Sequence, residues 1–180
     1  MRRKKIIFTA VTLIILIILS IFFTERSNKD VKVESTDLSL ESISGISLLE
    51  KYDSGKVAQI LGNNVRKSII NNDSNYEYVS NDFIVDLEVD KNKNIVAISM
   101  VTSQKNNIKT IRGVTNSFSF NDVTKLYGQN YVKKQWKDDM GSGDGTSITY
   151  FDKINRYKIE FGFSKIQDNE TMSNISFSVY

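Results

Sequence analysis

The chain has 180 residues, with 24 Lys and Arg against 21 Asp and Glu, 40% hydrophobic residues, and no Cys, His or Pro. That length gives room for one domain or two very small ones; lacking Cys, the chain has neither disulfides nor thiolate chemistry, and lacking His it has neither the commonest general base nor the commonest transition-metal ligand. Six of the 24 basic residues but only two of the 21 acidic ones fall in the first 30 positions, leaving 18 against 19 beyond them, so the basic pI belongs to the N-terminal flank and does not point to nucleic acid.

Arg2, Arg3, Lys4 and Lys5 precede an 18-residue uncharged run, Ile6 to Phe23, whose polar members are Thr9, Thr12 and Ser20. At helical rise such a run spans about 27 Å, close to the ~30 Å hydrocarbon core of a bilayer. A single membrane-spanning anchor is therefore expected over 6–23. The basic cluster should keep the N-terminus cytoplasmic and place the C-terminal part outside the cell membrane. The run ends Ile21-Phe22-Phe23-Thr24-Glu25-Arg26, bulky where signal cleavage needs small residues, so an uncleaved signal-anchor is expected. With no Cys there is no lipid anchor either. Residues 24–42 are polar and without sustained periodicity, which suggests a stalk. The richness in Asn, Lys and Ile suits an AT-rich genome, such as that of a Gram-positive bacterium.

Beyond the stalk the sequence states one pattern twice, over 43–105 and 106–180. Gly45-Ile46 is followed by Val57, Ile60, Leu61 and Gly62; Gly113-Val114 is followed by Val123, Leu126, Tyr127 and Gly128. Apolar residues at i, i+3 and i+4 make one face of a short helix, and the Gly suits the residue just past its end. Asp53 is positioned to cap the first helix, and Ser119 with Asp122 forms a capping box for the second. Alternating strands follow each helix: Phe83, Val85, Leu87 and Val89, then Val96, Ile98 and Met100 in the first unit; Tyr157, Ile159, Phe161 and Phe163, then Ile175, Phe177 and Val179 in the second. Earlier strands are expected near 76–79 and 148–151, and turns at 90–94 and 167–171. The expected fold class is α+β: an N-terminal transmembrane helix, then two similar units, each a short helix packed on an antiparallel sheet of about three strands.

The stretch Thr110-Ile-Arg-Gly-Val-Thr-Asn-Ser-Phe-Ser-Phe-Asn-Asp-Val-Thr-Lys-Leu-Tyr-Gly128 resembles a pattern of small extracytoplasmic proteins of Gram-positive bacteria, T-I-x-G-I, a short polar turn, then D-V-x-x-x-Y-G. Tandem units of this sort are similar to the outer-membrane assembly lipoproteins of the SmpA/OmlA type and to the β-lactamase inhibitory protein. The resemblance implies a helix-on-sheet fold over about 43–180 whose exposed sheet or loops bind another protein. The chain departs from it in lacking the inhibitory protein's disulfides and the lipid anchor of the SmpA type.

Candidate site residues are few. Asp138, Asp139 and Asp144 flank a Gly-rich loop and could supply oxygen ligands to Ca²⁺, although a solvated hairpin loop explains them as well. Asp90 to Asn94 opens like a calcium loop but has Ile95 and Val101 where a turn Gly and a bidentate Glu belong, so a plain turn is expected. Tyr131 and Trp136, interleaved with Lys, and Tyr150 are candidate binding residues for a protein partner or an anionic wall polymer, against the alternative of core or edge packing. No nucleophile elbow, Ser-x-x-Lys motif or phosphate-cradling loop is present. The expectation is a non-catalytic, cofactor-free protein-interaction module at the cell surface, its partner another extracytoplasmic protein or a cell-wall component, with a ligand- or Ca²⁺-sensing domain as the alternative and a hydrolase third.

Overall fold

The computed structural model describes residues 33–180 apart from 63, 71–72, 103–107, 137–143 and 165–170. The anchor expected over 6–23 lies outside these. Among the described residues no helix is long and apolar enough to cross a membrane.

Two eight-residue helices, α1 (Ser54–Leu61) and α2 (Phe120–Tyr127), accompany eight strands: β1 (Arg66–Ile70), β2 (Asn75–Val79), β3 (Phe83–Val89), β4 (Ile95–Thr102), β5 (Val132–Trp136), β6 (Gly145–Asp152), β7 (Tyr157–Phe163) and β8 (Met172–Val179). All eight form one antiparallel sheet in the order β1-β2-β3-β4-β8-β7-β6-β5. This corrects the expectation of two units with three-stranded sheets of their own. Each half contributes four strands, and β4 pairs directly with β8. The physical reason is edge satisfaction: a three-stranded sheet exposes a row of unpaired backbone groups on each side, and joining the halves removes two such edges.

The join is symmetric. Ile98 lies opposite Phe177, Ser99 opposite Ser176, and Met100 opposite Ile175, so Ile-Ser-Met on β4 runs antiparallel to Ile-Ser-Phe on β8 with the serines at the centre. Outward from it, Tyr78 lies opposite Val85 and Tyr150 opposite Ile159. The halves can therefore be compared position by position, Tyr78 with Tyr150 and Asp86 with Glu160.

The extra strands, β1 and β5, read Arg-Lys-Ser-Ile-Ile and Val-Lys-Lys-Gln-Trp and lack the alternation that marks a half-buried strand. On the core face of each edge a Lys closes the rim over an aromatic ring. Lys67 Nζ stands 4.8 Å from the centre of Tyr76 and 5.3 Å from that of Tyr52, and Lys133 Nζ stands 4.7 Å from that of Phe120. The stem covers apolar surface while the ammonium stays wet, and Lys on an edge discourages further strand pairing.

The helices lie on the apolar face. Asp53 caps α1 by accepting from the amides of Gly55 and Lys56. Ser119 and Asp122 form the expected capping box on α2, with Asp122 accepting from Ser119 N at 3.1 Å. Gly62 and Gly128 follow the helices at φ 96° and 88°, a region that disfavours any side chain. Val57 buries on α1, whereas α2 buries Phe120, Val123, Thr124 and Tyr127. Leu126, expected in that stripe, is 42% exposed; the stripe is centred one residue away, on the i, i+3, i+4, i+7 set.

The last part of the expected stalk belongs to the folded domain. Thr36 N donates to Phe151 O (2.8 Å), and Leu38 is buried. Leu38 N donates to Asp152 Oδ2 (2.9 Å), and Asp152 also accepts from the amides of Ile154 and Asn155 and from the Asn155 side chain. Glu41, buried at 4% exposure, clasps the second half. It accepts from Tyr127 OH (2.7 Å), Ile111 N (3.0 Å) and Ser42 N (3.1 Å), and Arg112 Nε lies 3.6 Å away. The Arg112 guanidinium stacks 4.5 Å over the Tyr127 ring and donates to the carbonyls of Asp37 and Leu126.

Candidate interaction surface

Because strand side chains alternate, the register sorts the sheet into two faces. The core face holds Tyr78, Leu87, Ile98, Phe177, Phe161 and Tyr150, all fully buried under the helices. Tyr127 of α2 stands 5.0 Å from Phe161 and 5.2 Å from Tyr150, and Tyr52, just before α1, stacks 3.9 Å from Tyr76.

The opposite, open face is set by three cross-strand rows. The first runs Arg66, Val79, Ile84, Val101, Asn174, Gly162, Ser147, Lys134; the second Ser68, Glu77, Asp86, Ser99, Ser176, Glu160, Thr149, Val132; the third Ile70, Asn75, Glu88, Ala97, Ser178, Lys158, Phe151. Small residues fill the centre. The two flanks differ in chemistry.

On the first half, Val101 and Ile84 are 49% and 37% exposed and directly paired, and Val79 pairs with Ile84, so an aliphatic ridge crosses three strands. Beside it Glu77 and Asp86 are direct cross-strand partners, and Glu88 follows Asp86 on the same face. Like charges directly opposite one another disfavour the pairing. Partial burial raises the Asp86 carboxyl above its ordinary value, and the neighbouring Glu77 adds to the shift. Ion pairs among the described residues join Lys56 to Glu50, Arg112 to Glu41 and Lys125 to Asp122, and none uses these three carboxylates.

On the second half the equivalent polar groups serve each other. Thr149 Oγ1 donates to Glu160 Oε2 (3.4 Å). A Cβ at Gly162 would collide with the Asn174 amide, which covers that glycine. Ser147 and Thr149 are buried. Lys158 stands where the first half has Ile84, Thr149 where it has Glu77, and Gly162 where it has Glu88.

Of the residues singled out from sequence, Tyr150, Tyr131 and Asp144 are described with their side chains, and none lies in these first-half rows. Tyr150 is a core residue: the register turns it to the helix side, it is fully buried, and its hydroxyl donates to Gly128 O (2.8 Å). Burial pushes this hydroxyl well above the ordinary tyrosine range, as it does for Tyr78 and Tyr127. Tyr131 is half-buried, edge-on to Phe120 (5.7 Å) and Tyr150 (5.8 Å). Trp136 ends β5, with its backbone opposite Gly145; its side chain lies outside the described residues. Asp144 is exposed just before β6; Asp138 and Asp139 lie outside the described residues. Among the described residues no three of His, Cys, Asp and Glu are grouped to hold a metal.

The open-face flank does not stand out in the sequence because Ile84, Asp86 and Glu88, which alternate with the buried residues of β3, look like the solvated half of a half-buried strand. The signal was present in Ile84-Val85-Asp86-Leu87-Glu88, where the polar half of the alternation is acidic and opens on an isoleucine. Two clefts flank the Glu41 clasp: one of about 230 Å³ lined by Asp37, Leu40, Glu41, Ile111 and Arg112, and one of about 430 Å³ lined by Ser42, Ser44, Gly45, Lys109, Thr110 and Ile111. In the first, the Glu41 carboxylate and the Arg112 guanidinium are already engaged in the clasp. No family model, no curated protein sequence and no solved structure matches the chain.

Proposed function

We propose that this chain is a non-catalytic protein-interaction module, held at the outer face of a cell membrane through residues 6–23, which offers the open face of its sheet to another extracytoplasmic protein. The observation that carries the reading is the sheet itself: one face is packed under both helices, while the opposite face over β2 to β4 shows an exposed aliphatic ridge beside carboxylates with no ion-pair partner among the described residues. An antiparallel sheet with one wet face normally alternates apolar and polar residues cleanly, so aliphatics at wet positions call for another explanation. The resemblance of residues 110–128 to a pattern of small extracytoplasmic proteins, whose tandem units would bind another protein through an exposed sheet or loops, is consistent with the same reading. The membrane assignment rests on the apolar run and its basic flank.

The test is photo-crosslinking in the producing cell. A crosslinking amino acid replaces Ser99 or Ser176 at the centre of the open face, or Lys56 on the exposed side of α1. The reading expects a recurrent protein adduct of defined mass from the serine positions and not from Lys56. Equal adducts from all three, or none from the serines, would contradict it. Proteolysis of intact protoplasts should remove residues beyond the anchor; full protection would refute the outward topology.

A further inference from the structure

We infer that the open face of β2, β3 and β4 is a docking surface for a basic, amphipathic segment of another protein, one that sets aliphatic side chains against Val79, Ile84 and Val101 and Lys or Arg against Glu77, Asp86 and Glu88. The inference rests on the proposed interaction role and names the half and the chemistry.

Three observations carry it. The aliphatic ridge is continuous across three paired strands, with Ile84 and Val101 well exposed, so the apolar contact is a strip and not a scatter of single residues. The three carboxylates lie in the two neighbouring rows, two of them face to face across β2 and β3. Within the described residues this arrangement has a cost and no compensation. A cation placed between Glu77 and Asp86 turns a repulsive pair into two attractive ones. The third observation is the built-in control: the equivalent positions on β6, β7 and β8 carry Thr149, Phe151, Lys158, Glu160, Gly162 and Ser178, and there the one carboxylate is already taken by Thr149. Strand order and register are shared between the halves, so the sheet itself does not require the acidic, aliphatic pattern of the first; the face is also more exposed there, Glu88 and Glu77 standing where the second half buries Gly162 and Thr149. The same pattern disfavours a polyanion, such as an anionic wall polymer, as the occupant. Arg66, at the edge beyond Val79, bounds the strip on one side.

The test uses the full-length, isotope-labelled chain and a short synthetic peptide alternating Lys and Val, with Glu-Val and Lys-Ser peptides as controls, followed by amide chemical shifts. The expected result is saturable binding of the Lys-Val peptide, weakening as salt is raised, with shifts confined to β2, β3 and β4. Neither control should bind comparably. The double variant Glu77→Gln, Glu88→Gln, which leaves the core untouched, should weaken binding about tenfold, whereas Lys158→Gln should leave it unchanged. Shifts spread over both halves, equal binding of the Glu-Val peptide, or indifference to the double variant would overturn the inference. So would concentration-dependent self-association through the same residues, which would make a second copy the occupant. A specific crosslink from Ser176 without Lys-Val binding would leave the interaction role standing and remove this inference alone.

Discussion

The two halves of the domain have the same order of elements and meet at a symmetric join, yet they use their polar residues differently. In the second half polar groups are consumed internally: Glu160 takes Thr149, Asn174 covers Gly162, Asp152 ties its hairpin to Leu38, and Arg112 with Tyr127 closes on Glu41. In the first half the equivalent places hold a neutral turn residue, Ser80, and a face of carboxylates that form no ion pair among the described residues, beside exposed aliphatics. On the proposed reading, two halves with the same order of elements separate two tasks that compete within a single unit, since groups spent on stability are not free for recognition.

Each prediction sets a residue of one half against its counterpart in the other, beginning with the largest effect. Arg112→Met leaves the Glu41 charge buried without its cation and should cost about 3 kcal/mol, lowering the melting temperature by about 10 °C for a chain of this size. Ser44, the residue before Gly45 as Arg112 is before Gly113, is uncharged and accepts from the Lys109 amide (3.2 Å), and Ser44→Gly should shift melting far less. A loss for Arg112→Met no larger than for Ser44→Gly would break the contrast.

Asp152 and Ser80 both organise the turn that follows the second strand of their half, Ser80 by accepting from the amides of Asp82 and Phe83 (3.1 Å each). Burial pushes the Asp152 carboxyl up, but the Asn155 side chain and amide, with the amides of Leu38 and Ile154, outweigh it and hold the group below its ordinary value. Its stabilisation is therefore present above the unfolded-state value near ~4 and is lost as pH falls through the lower folded value. Asp152→Asn should cost about 2 kcal/mol at pH 7, and the gap from wild type should close in denaturation curves taken at progressively lower pH. Ser80→Ala should cost about 1 kcal/mol with no such closure.

Gly162 and Glu88 occupy matched positions on β7 and β3. Gly162→Ala drives a methyl into the Asn174 amide and should cost about 1.5 kcal/mol, while Glu88→Ala should fall within about 0.5 kcal/mol of wild type. Asp86 and Glu160 give the smallest effect and a change of sign. The Asp86 carboxyl is raised, so its shift favours the fold below the unfolded-state value and turns into a cost as pH rises through the folded one. Asp86→Asn should accordingly stabilise the chain by about 0.5 kcal/mol at neutral pH, whereas Glu160→Gln should not. Urea denaturation at pH 7 decides between them.

Much of this contrast is legible in the sequence, and the unread parts have physical causes. Both helix starts are written in local chemistry, Asp53 and the Ser119–Asp122 box, and β3 and β7 in their alternation. The edge strands are not, because Lys67 and Lys133 occupy core-face positions that a binary pattern scores as polar. The single sheet is not either, because the pairing of β4 with β8 is a long-range choice that neither strand encodes alone; only the shared Ile-Ser-aromatic-or-Met triplet hints at it. Tyr150 illustrates the opposite error. A Tyr on an open sheet face would suit recognition, but the register places Tyr150 beside Ile159 in the core, while the carboxylates proposed for binding look like an ordinary solvated face.

The comparison is tested most directly where the halves diverge at one equivalent position. A photo-crosslinking residue is placed at Ile84 or at Lys158 in the full-length chain, and adducts are collected from the producing cell. The account predicts a defined protein adduct from position 84, suppressed by the Glu77→Gln, Glu88→Gln background, and little from position 158. Equal yields from the two positions, or a yield from 158 alone, would contradict it.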